Sequence, residues 1–189
     1  MTYTHLLFLT LIIHYVFCDN GRTFEQIRYK NCKSQFEVVH VGVLDCVQKD
    51  RCDFARGKEY QIQIGFKPNR RVDQLQTAVW SHLGDAHGAL TKFHMENENA
   101  CVDSNITCPL EPGKTYWYRQ SVFILRDFPP VDVQVNWLLT TPAEAAAAAA
   151  SSPAAGDQLK NVGQRPQKFP TRREVCVKFL GKVTDEKTD

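Results

Sequence analysis

Residues 52–62 read CDFARGKEYQI, and residues 108–118 read CPLEPGKTYWY. Both segments contain a cysteine, four further residues, a Gly-Lys pair, one more residue and a tyrosine, and an apolar-rich run follows. Gly57 and Gly113 predict turns, because glycine adopts backbone conformations that other residues avoid. The repeat therefore predicts two strands of one fold that begin in the same way, each after a short cysteine-bounded loop.

The second segment contains Gly113-Lys114-Thr115, which invites comparison with a phosphate-binding loop. That motif requires a glycine five residues before the Gly-Lys pair, where this chain has Cys108, and a helix after it. A strand pattern follows here instead, so the nucleotide-binding interpretation is rejected. The formal net charge of +2 is also too small to indicate a nucleic-acid binder.

Alternation of apolar and polar residues predicts most of the secondary structure. Period-two patterns with one apolar face occupy residues 60–66, 131–139 and 175–183. Less regular strand signals occupy residues 36–44, 75–83, 90–95 and 115–125. About seven short strands separated by turn residues predict an all-β protein built as a sandwich of two sheets.

The N-terminal residues have the character of an export signal. Residues 6–17, LLFLTLIIHYVF, form an apolar run of the length of a signal-peptide core, so we predict a signal peptide over 1–18 with cleavage before Asp19. A buried core helix is the alternative. Removal of Cys18 leaves six cysteines, which in a secreted chain predict three disulfides among 15 connectivities. Asn105-Ile106-Thr107 is an N-glycosylation sequon, and it predicts a glycan on Asn105.

Residues 141–171 interrupt the strand pattern. They include six consecutive alanines at 145–150, three Ser or Pro residues after them, and prolines at 142, 166 and 170. Such a segment cannot bury enough apolar surface to order itself, so we interpret it as a flexible insertion between the last two strands. A linker between two domains is the alternative, but too few residues follow for a second domain. The predicted organisation is one domain over 19–183 with a C-terminal tail over 184–189.

The sequence offers little catalytic or metal-binding chemistry. His82, His87 and His94 follow no recognised metal-binding spacing, and no nucleophile-elbow motif is present. We therefore predict a protein that is not an enzyme and that has no metal and no cofactor. Small basic clusters are either solvated surface or a patch for anionic lipid head groups; they contain Lys67, Arg70, Arg71, Arg172 and Arg173.

The cysteine framework as a whole resembles a known family. Its parts are NCKSQFEVVHVGVLDC (31–46), GKEYQIQIGF (57–66), the two tight cysteine pairs, DFPPVDVQVNWLL (127–139) and EVCVKF (174–179). Together they resemble the ML (MD-2-related lipid-recognition) domain family, in particular the Niemann-Pick C type-2 sterol carriers and arthropod relatives that include mite group-2 allergens. The resemblance covers residues 29–183 apart from the insertion.

This resemblance implies an immunoglobulin-like sandwich of two antiparallel sheets with disulfides Cys32–Cys176, Cys46–Cys52 and Cys101–Cys108. It also implies splayed sheets that enclose an apolar lipid pocket, whereas the alternation alone would equally describe a filled core. The residues that match pocket positions are Tyr60, Ile62, Ile64, Val122, Ile124, Val133, Val135 and Trp137, with Phe128 and Pro129 at the mouth and Leu90 or Phe93 at the opposite lip.

The function that the resemblance implies is that of a secreted, monomeric, non-enzymatic carrier. It would bind a sterol or a fatty-acyl lipid and exchange it with membranes or a receptor protein, in extracellular fluid or in the lysosome. The alternative is an extracellular innate-immune lipid-recognition or protein-interaction module. Residues 83–99 are polar and rich in histidine where the sterol carriers are apolar and rich in proline.

Overall fold

The computed structural model describes residues 23–84, 90–93, 95–143, 170 and 172–185. The predicted signal peptide, nearly all of the alanine-rich insertion, His87, His94 and the last four residues lie outside the described residues. Among the described residues, no helix has the length and apolar character needed to cross a membrane.

The described residues form ten strands. In chain order they are β1 (Phe24–Gln26), β2 (Lys30–Asn31), β3 (Glu37–Leu44), β4 (Cys52–Ala55), β5 (Glu59–Lys67), β6 (Gln76–Leu83), β7 (Leu90–Phe93), β8 (Tyr116–Phe123), β9 (Asp132–Thr140) and β10 (Val175–Thr184).

These strands form two sheets, as predicted. The first sheet has the order β1-β3-β5-β8, and the second has the order β2-β10-β9-β6-β7. Neighbouring strands in these two orders are antiparallel. The prediction of an all-β sandwich of two antiparallel sheets is confirmed. One short strand departs from it, because β4 runs parallel to β10 and pairs with residues 181–184.

The seven predicted strands correspond to β3 and to β5 through β10. The three strands that were not predicted, β1, β2 and β4, have only two to four residues each. A period of two cannot be recognised over so few positions. These short strands lie at the edges: β1 extends β3, while β2 and β4 share one edge of β10.

The repeated Cys-x4-Gly-Lys-x-Tyr segments share two local features, a glycine turn and a tyrosine hydrogen bond. Gly57 and Gly113 have φ values of +77° and +76°, in the left-handed region that favours glycine. The hydroxyl of Tyr60 accepts a hydrogen bond of 2.7 Å from the backbone N–H of Ala55. The hydroxyl of Tyr116 accepts one of 2.8 Å from the N–H of Glu111. In both copies, the residue that donates this hydrogen bond lies three positions after the cysteine. The tyrosine therefore closes the short loop that begins at that cysteine.

Large aromatic side chains fill one half of the space between the sheets. The Phe66 ring stacks between those of Phe36 and Tyr116, with centroid distances of 6.0 and 6.2 Å. Around them lie side chains of both sheets that are almost fully buried: Val41, Ile64, Val72, Leu75, Leu110, Leu139, Val175 and Val177. This half, which we call the filled half, is a close-packed core of the ordinary kind.

A buried ion pair lies where the insertion returns to the sandwich. Glu174, immediately before β10, is fully buried, and its carboxylate pairs with Arg70 at 2.6 Å and with Arg172 at 3.5 Å. Because an unpaired carboxylate is costly to bury, these two arginines are structural partners of Glu174. They stabilise the junction between the insertion and β10.

Three disulfides are present: Cys32–Cys176, Cys46–Cys52 and Cys101–Cys108. They are the three pairs that the family resemblance implies. Cys32–Cys176 joins the segment after β2 to β10 across 144 residues of sequence, whereas Cys46–Cys52 spans only six. Cys32–Cys176 therefore links two distant parts of the sequence, whereas Cys46–Cys52 constrains a single loop.

We expect removal of the two disulfides to destabilise the protein to different extents. In the chain-entropy treatment, a cross-link stabilises more when it closes a longer loop, about 5 kcal/mol for Cys32–Cys176 and about 2.4 kcal/mol for Cys46–Cys52. Urea denaturation of the Cys32→Ala/Cys176→Ala and Cys46→Ala/Cys52→Ala variants measures both losses of unfolding free energy. Equal losses, or a larger loss for the short loop, would contradict this account.

Candidate functional site

The other half of the sandwich is hollow. A cavity of about 880 Å³ lies between the sheets, at the end where β5 and β9 begin and β8 and β10 end. Its volume is in the upper part of the range of about 300–1,000 Å³ that is usual for small-molecule pockets. The cavity is the candidate functional site.

The inward side chains of this half leave the space between the sheets unfilled. Where the filled half has three stacked aromatic rings, the facing strands here present mostly Val and Ile, such as Ile62 and Val122 on one sheet and Val133 and Val135 on the other. Sheets in a sandwich lie about 10 Å apart, so side chains of this length leave space between them. The side wall next to β4 is aromatic, with the rings of Phe54 and Tyr60 edge to face at 5.0 Å.

A polar bridge between the two sheets lies at the floor of the cavity. The buried Tyr118 ring packs edge to face with Trp137 at 6.4 Å, and its hydroxyl forms a hydrogen bond of 2.7 Å with the Thr77 hydroxyl. The same hydroxyl donates to the side-chain oxygen of Gln120, whose amide nitrogen donates to the Asn97 carbonyl at 2.5 Å. Burial raises the pKa of Tyr118, so its hydroxyl stays protonated at physiological pH. This neutral bridge joins β6 to β8 where the filled half ends.

Large apolar side chains lie at the mouth of the cavity, beside exposed charged residues such as Glu59 and Lys92. Phe93 on β7 meets Phe128 edge to face at 5.4 Å, and Pro129 lies beside it on the rim. Phe123 and Leu125 are 49% and 50% exposed, which is high for large apolar side chains. The rim loop is fixed from outside by the Arg56 guanidinium, which donates to the carbonyls of Arg126 and Phe128 at 3.1 and 3.2 Å.

The structure brings ten of the twelve proposed pocket residues to the cavity wall. They are Tyr60, Ile62, Phe93, Val122, Ile124, Phe128, Pro129, Val133, Val135 and Trp137. Ile64 is placed elsewhere: it has the same orientation as Ile62 but lies deeper, fully buried and paired with Tyr118. Leu90 is also elsewhere, because it packs on the outer face of its sheet against the cluster of Trp80, Leu138 and Cys176.

Several wall residues were not among the proposed pocket residues. Phe179 and Val183 are on the apolar face of the alternating strand β10. They could have been predicted as wall residues because β10 pairs with β9, whose apolar face was already assigned to the pocket. Phe54 belongs to the short strand β4, which has no recognisable period. Met95 follows the least regular strand, and Ser81 is polar, so no apolar pattern includes it.

The charged groups near this region do not form a metal site. Within the ranges that the structure describes, no group of three or more His, Cys, Asp or Glu side chains could hold a metal ion. What the cavity offers chemically is an inner wall that is mainly apolar, with polar and charged residues toward its exposed edge, which suits a largely apolar ligand.

The predicted basic patches lie away from the cavity and are engaged in ion pairs. Lys67, at the opposite end of β5 from Tyr60, pairs with Glu37, and Arg71 pairs with Asp73 and Glu111. Arg70 and Arg172 hold Glu174, as described above. Arg173 contacts the Cys176 sulfur at 3.7 Å. Contact of this patch with anionic lipid head groups stays a prediction, and these ion pairs would compete with it.

The sequon residue lies at the edge of the cavity wall. Asn105 is exposed, with φ of +64°, and its side-chain amide donates a hydrogen bond of 2.8 Å to the carbonyl of Trp117. Ile106 is buried beneath it. Glycosylation of Asn105 stays a prediction.

Comparison with known proteins agrees with the fold. The family model of the ML domain matches residues 26–148, about two thirds of the chain. The chain belongs to the ML domain family. The strand β10 lies beyond the matched range, yet it pairs with β9, β2 and β4 and so completes the sheet of this ML domain.

Individual relatives extend the comparison. The heh-1 protein of Caenorhabditis elegans is 36% identical over 125 residues, which cover 63% of this chain and 79% of that protein. The NPC intracellular cholesterol transporter 2 of Bos taurus is 28% identical over 134 residues, covering 70% of this chain and 87% of that protein. A crystal structure of a Niemann-Pick type C2 protein from the Japanese carpenter ant aligns with 84% of this chain and all of its own, with a TM-score of 0.63 and 15% identity. At that identity, the similarity shows the fold alone.

We expect a side chain at position 181 to reduce the cavity. Gly181 pairs with Cys52 on β4, and a Cβ atom there would lie 2.9 Å from Phe54 Cδ2 and closer still to Cε2. In Gly181→Ala the Phe54 ring must shift toward the cavity that it lines. We predict a loss of stability of about 1–3 kcal/mol, typical of overpacking, and severalfold weaker binding of the apolar dye anilinonaphthalene sulfonate.

The double variant Gly181→Ala/Phe54→Leu is the control, since the smaller leucine removes the overlap. It should recover much of the dye binding that Gly181→Ala loses. Dye titrations that do not differ between the wild type and Gly181→Ala would disprove this role of Gly181.

Proposed function

We propose that this chain is a secreted, monomeric, non-enzymatic lipid carrier that encloses a sterol or a fatty-acyl lipid between its sheets and exchanges it with membranes or a receptor protein. The observation that carries this proposal is the cavity of about 880 Å³ between the sheets. Its walls are mainly Val, Ile and aromatic side chains, and its mouth opens between Phe93, Phe123 and Phe128. The family membership and the bovine relative, which is named as a cholesterol transporter, support it.

The expected affinity suits a carrier. A sterol has about 28 heavy atoms, and ligands of that size gain about −0.3 kcal/mol per heavy atom, or roughly −8 kcal/mol in all. That corresponds to a dissociation constant in the micromolar range. Binding of this strength retains a lipid that is poorly soluble in water, while it still permits release at a membrane.

Export is supported by two independent features. The apolar run over residues 6–17 predicts a signal peptide, and three disulfides are typical of proteins in oxidising compartments. A cavity that must stay open also benefits from disulfides, because they stabilise a fold whose apolar core is incomplete.

A charge in the cavity wall should abolish lipid binding. Val135 lines the cavity opposite Phe179 on β10, so Val135→Glu places a carboxylate in an apolar enclosure. The matched control is Leu180→Glu, because Leu180 follows Phe179 on the same strand and is 54% exposed on the outer face. Native mass spectrometry and lipid extraction of the secreted protein should recover a lipid from the wild type and from Leu180→Glu but not from Val135→Glu. A wild-type protein that folds and carries no lipid would refute the carrier function.

The exposed apolar rim should accelerate exchange with membranes. Phe123 and Leu125 can enter the acyl-chain region when the mouth faces a bilayer, and each is about half exposed. We expect Phe123→Ser/Leu125→Ser to slow the transfer of a fluorescent sterol or fatty acid between phosphatidylcholine vesicles severalfold, with little change in equilibrium affinity.

The control for this experiment is Val39→Ser. Val39 is exposed to a similar degree, 39%, but lies on the outer face near the filled half, so transfer should continue at the wild-type rate. If the wild type binds lipid but transfers none unaided, exchange with membranes is disproved and the protein-interaction alternative gains support.

A further inference from the structure

One polar side chain interrupts the apolar inner face of the second sheet. Ser81 on β6 is only 8% exposed and lines the cavity. Its hydroxyl makes no hydrogen bond with any residue in the described part of the chain. Because Ser81 faces the cavity, its hydroxyl depends on water or a ligand in the cavity for a hydrogen-bond partner.

The strand register defines the surroundings of Ser81. One row across the sheet consists of Phe179, Val135, Ser81 and Thr91, which are paired in that order. The adjacent row consists of Val177, Trp137, Val79 and Phe93 and carries no hydroxyl group. The hydroxyl of Ser81 is therefore flanked by Val135 on one side and, two residues earlier on its own strand, by Val79.

Thr91 continues the same row to the edge of the sheet. It lies directly opposite Ser81 on β7, where side chains of paired residues are about 4.5–5.5 Å apart at Cβ. Thr91 is exposed, so water can satisfy its hydroxyl. Ser81 is enclosed, and a ligand that fills the cavity would displace the water that could otherwise serve it.

Two further polar groups of the cavity lie near this wall: the Trp137 indole N–H in the adjacent row, a buried donor without a partner among the described residues, and the Gln120 amide on the facing sheet. The Gln120 amide accepts from Tyr118 and donates to the Asn97 carbonyl. On this wall, a ligand oxygen can therefore meet the Ser81 hydroxyl and, one row deeper, the Trp137 N–H, which can only donate. A serine hydroxyl can both donate and accept, so either a hydroxyl or a carbonyl oxygen fits.

We propose that Ser81 is a specificity-determining residue that forms a hydrogen bond with a hydroxyl or carbonyl oxygen on the enclosed part of the lipid. This inference rests on the proposed carrier function and deepens it. The preferred ligand is a lipid that has an oxygen along its hydrocarbon skeleton, in addition to any head group at the mouth. The apolar wall formed by Val133, Val135, Phe179 and Val183 holds the rest of that skeleton.

Competition binding with matched lipids tests the proposal. The probes are stearic acid with its mid-chain hydroxystearic acid isomers, and cholesterol with its side-chain and ring-hydroxylated derivatives, each displacing one fluorescent lipid. One hydrogen bond contributes enough to tighten binding about threefold to tenfold. In the wild type we expect at least one hydroxylated isomer to bind more tightly than its parent by that factor.

Three variants assign the preference to Ser81. In Ser81→Ala the ratio between the hydroxylated isomer and its parent should fall to about one. In Ser81→Cys, whose thiol is a weak hydrogen-bonding group, it should be intermediate. Thr91→Val is the matched control, because it removes the neighbouring hydrated hydroxyl, and it should retain the wild-type ratio.

The outcomes separate this inference from the carrier function. In one outcome, the parent lipids bind and Ser81→Ala leaves the affinity ratio between every hydroxylated isomer and its parent unchanged. That result would overturn the role of Ser81, and the carrier function would stand. If neither the parent lipids nor their isomers bind to the folded protein, the carrier function itself fails. A ratio that falls equally in Ser81→Ala and Thr91→Val would also overturn the assignment to Ser81.

Discussion

The packing of the filled half holds the two sheets apart, and the cavity depends on that separation. Phe36, Phe66 and Tyr116 form a row of stacked rings on the inner face of the first sheet, and they belong to one core with buried residues of the second sheet such as Leu139. The hydrogen bond between Thr77 and Tyr118 joins the sheets at the boundary between the halves. Because the strands run through both halves, collapse of the cavity would have to bend them against this packed core.

An incomplete core has a cost, and the covalent structure offsets part of it. Residues around an empty apolar space lose the dispersion contacts that a filled interior would supply. The tie between Cys32 and Cys176 acts on the unfolded chain, and so it stabilises the fold without occupying the cavity. A bound lipid would add stability in proportion to its occupancy, since any ligand that binds only the folded state shifts the folding equilibrium.

The sequence predicts the orientation of a side chain better than its depth. Ile62 and Ile64 have the same parity on β5, and the alternation correctly orients both inward, yet only the first reaches the cavity. A period of two carries no information about which end of a sandwich is hollow. Leu90 was misplaced for a different reason: β7 has four residues, so its phase could not be determined until its pairing with β6 was known. Ser81 was missed because a polar residue weakens an apolar pattern. Its polarity on an apolar face is also the reason that it is a candidate for ligand contact.

In the repeated Cys-x4-Gly-Lys-x-Tyr segment, the local sequence determines the turn, and the strand pairing determines where the turn lies in the fold. Each copy uses its tyrosine hydroxyl to close its own loop, and each uses a left-handed glycine to start a strand. The strands β5 and β8 are antiparallel neighbours, so the two copies lie at opposite ends of the sandwich. Tyr116 therefore packs into the filled half, while Tyr60 becomes a wall of the cavity. The same local motif thus contributes to the packed core at one end of the sandwich and to the cavity wall at the other. The antiparallel pairing of β5 and β8 determines the end at which each copy lies.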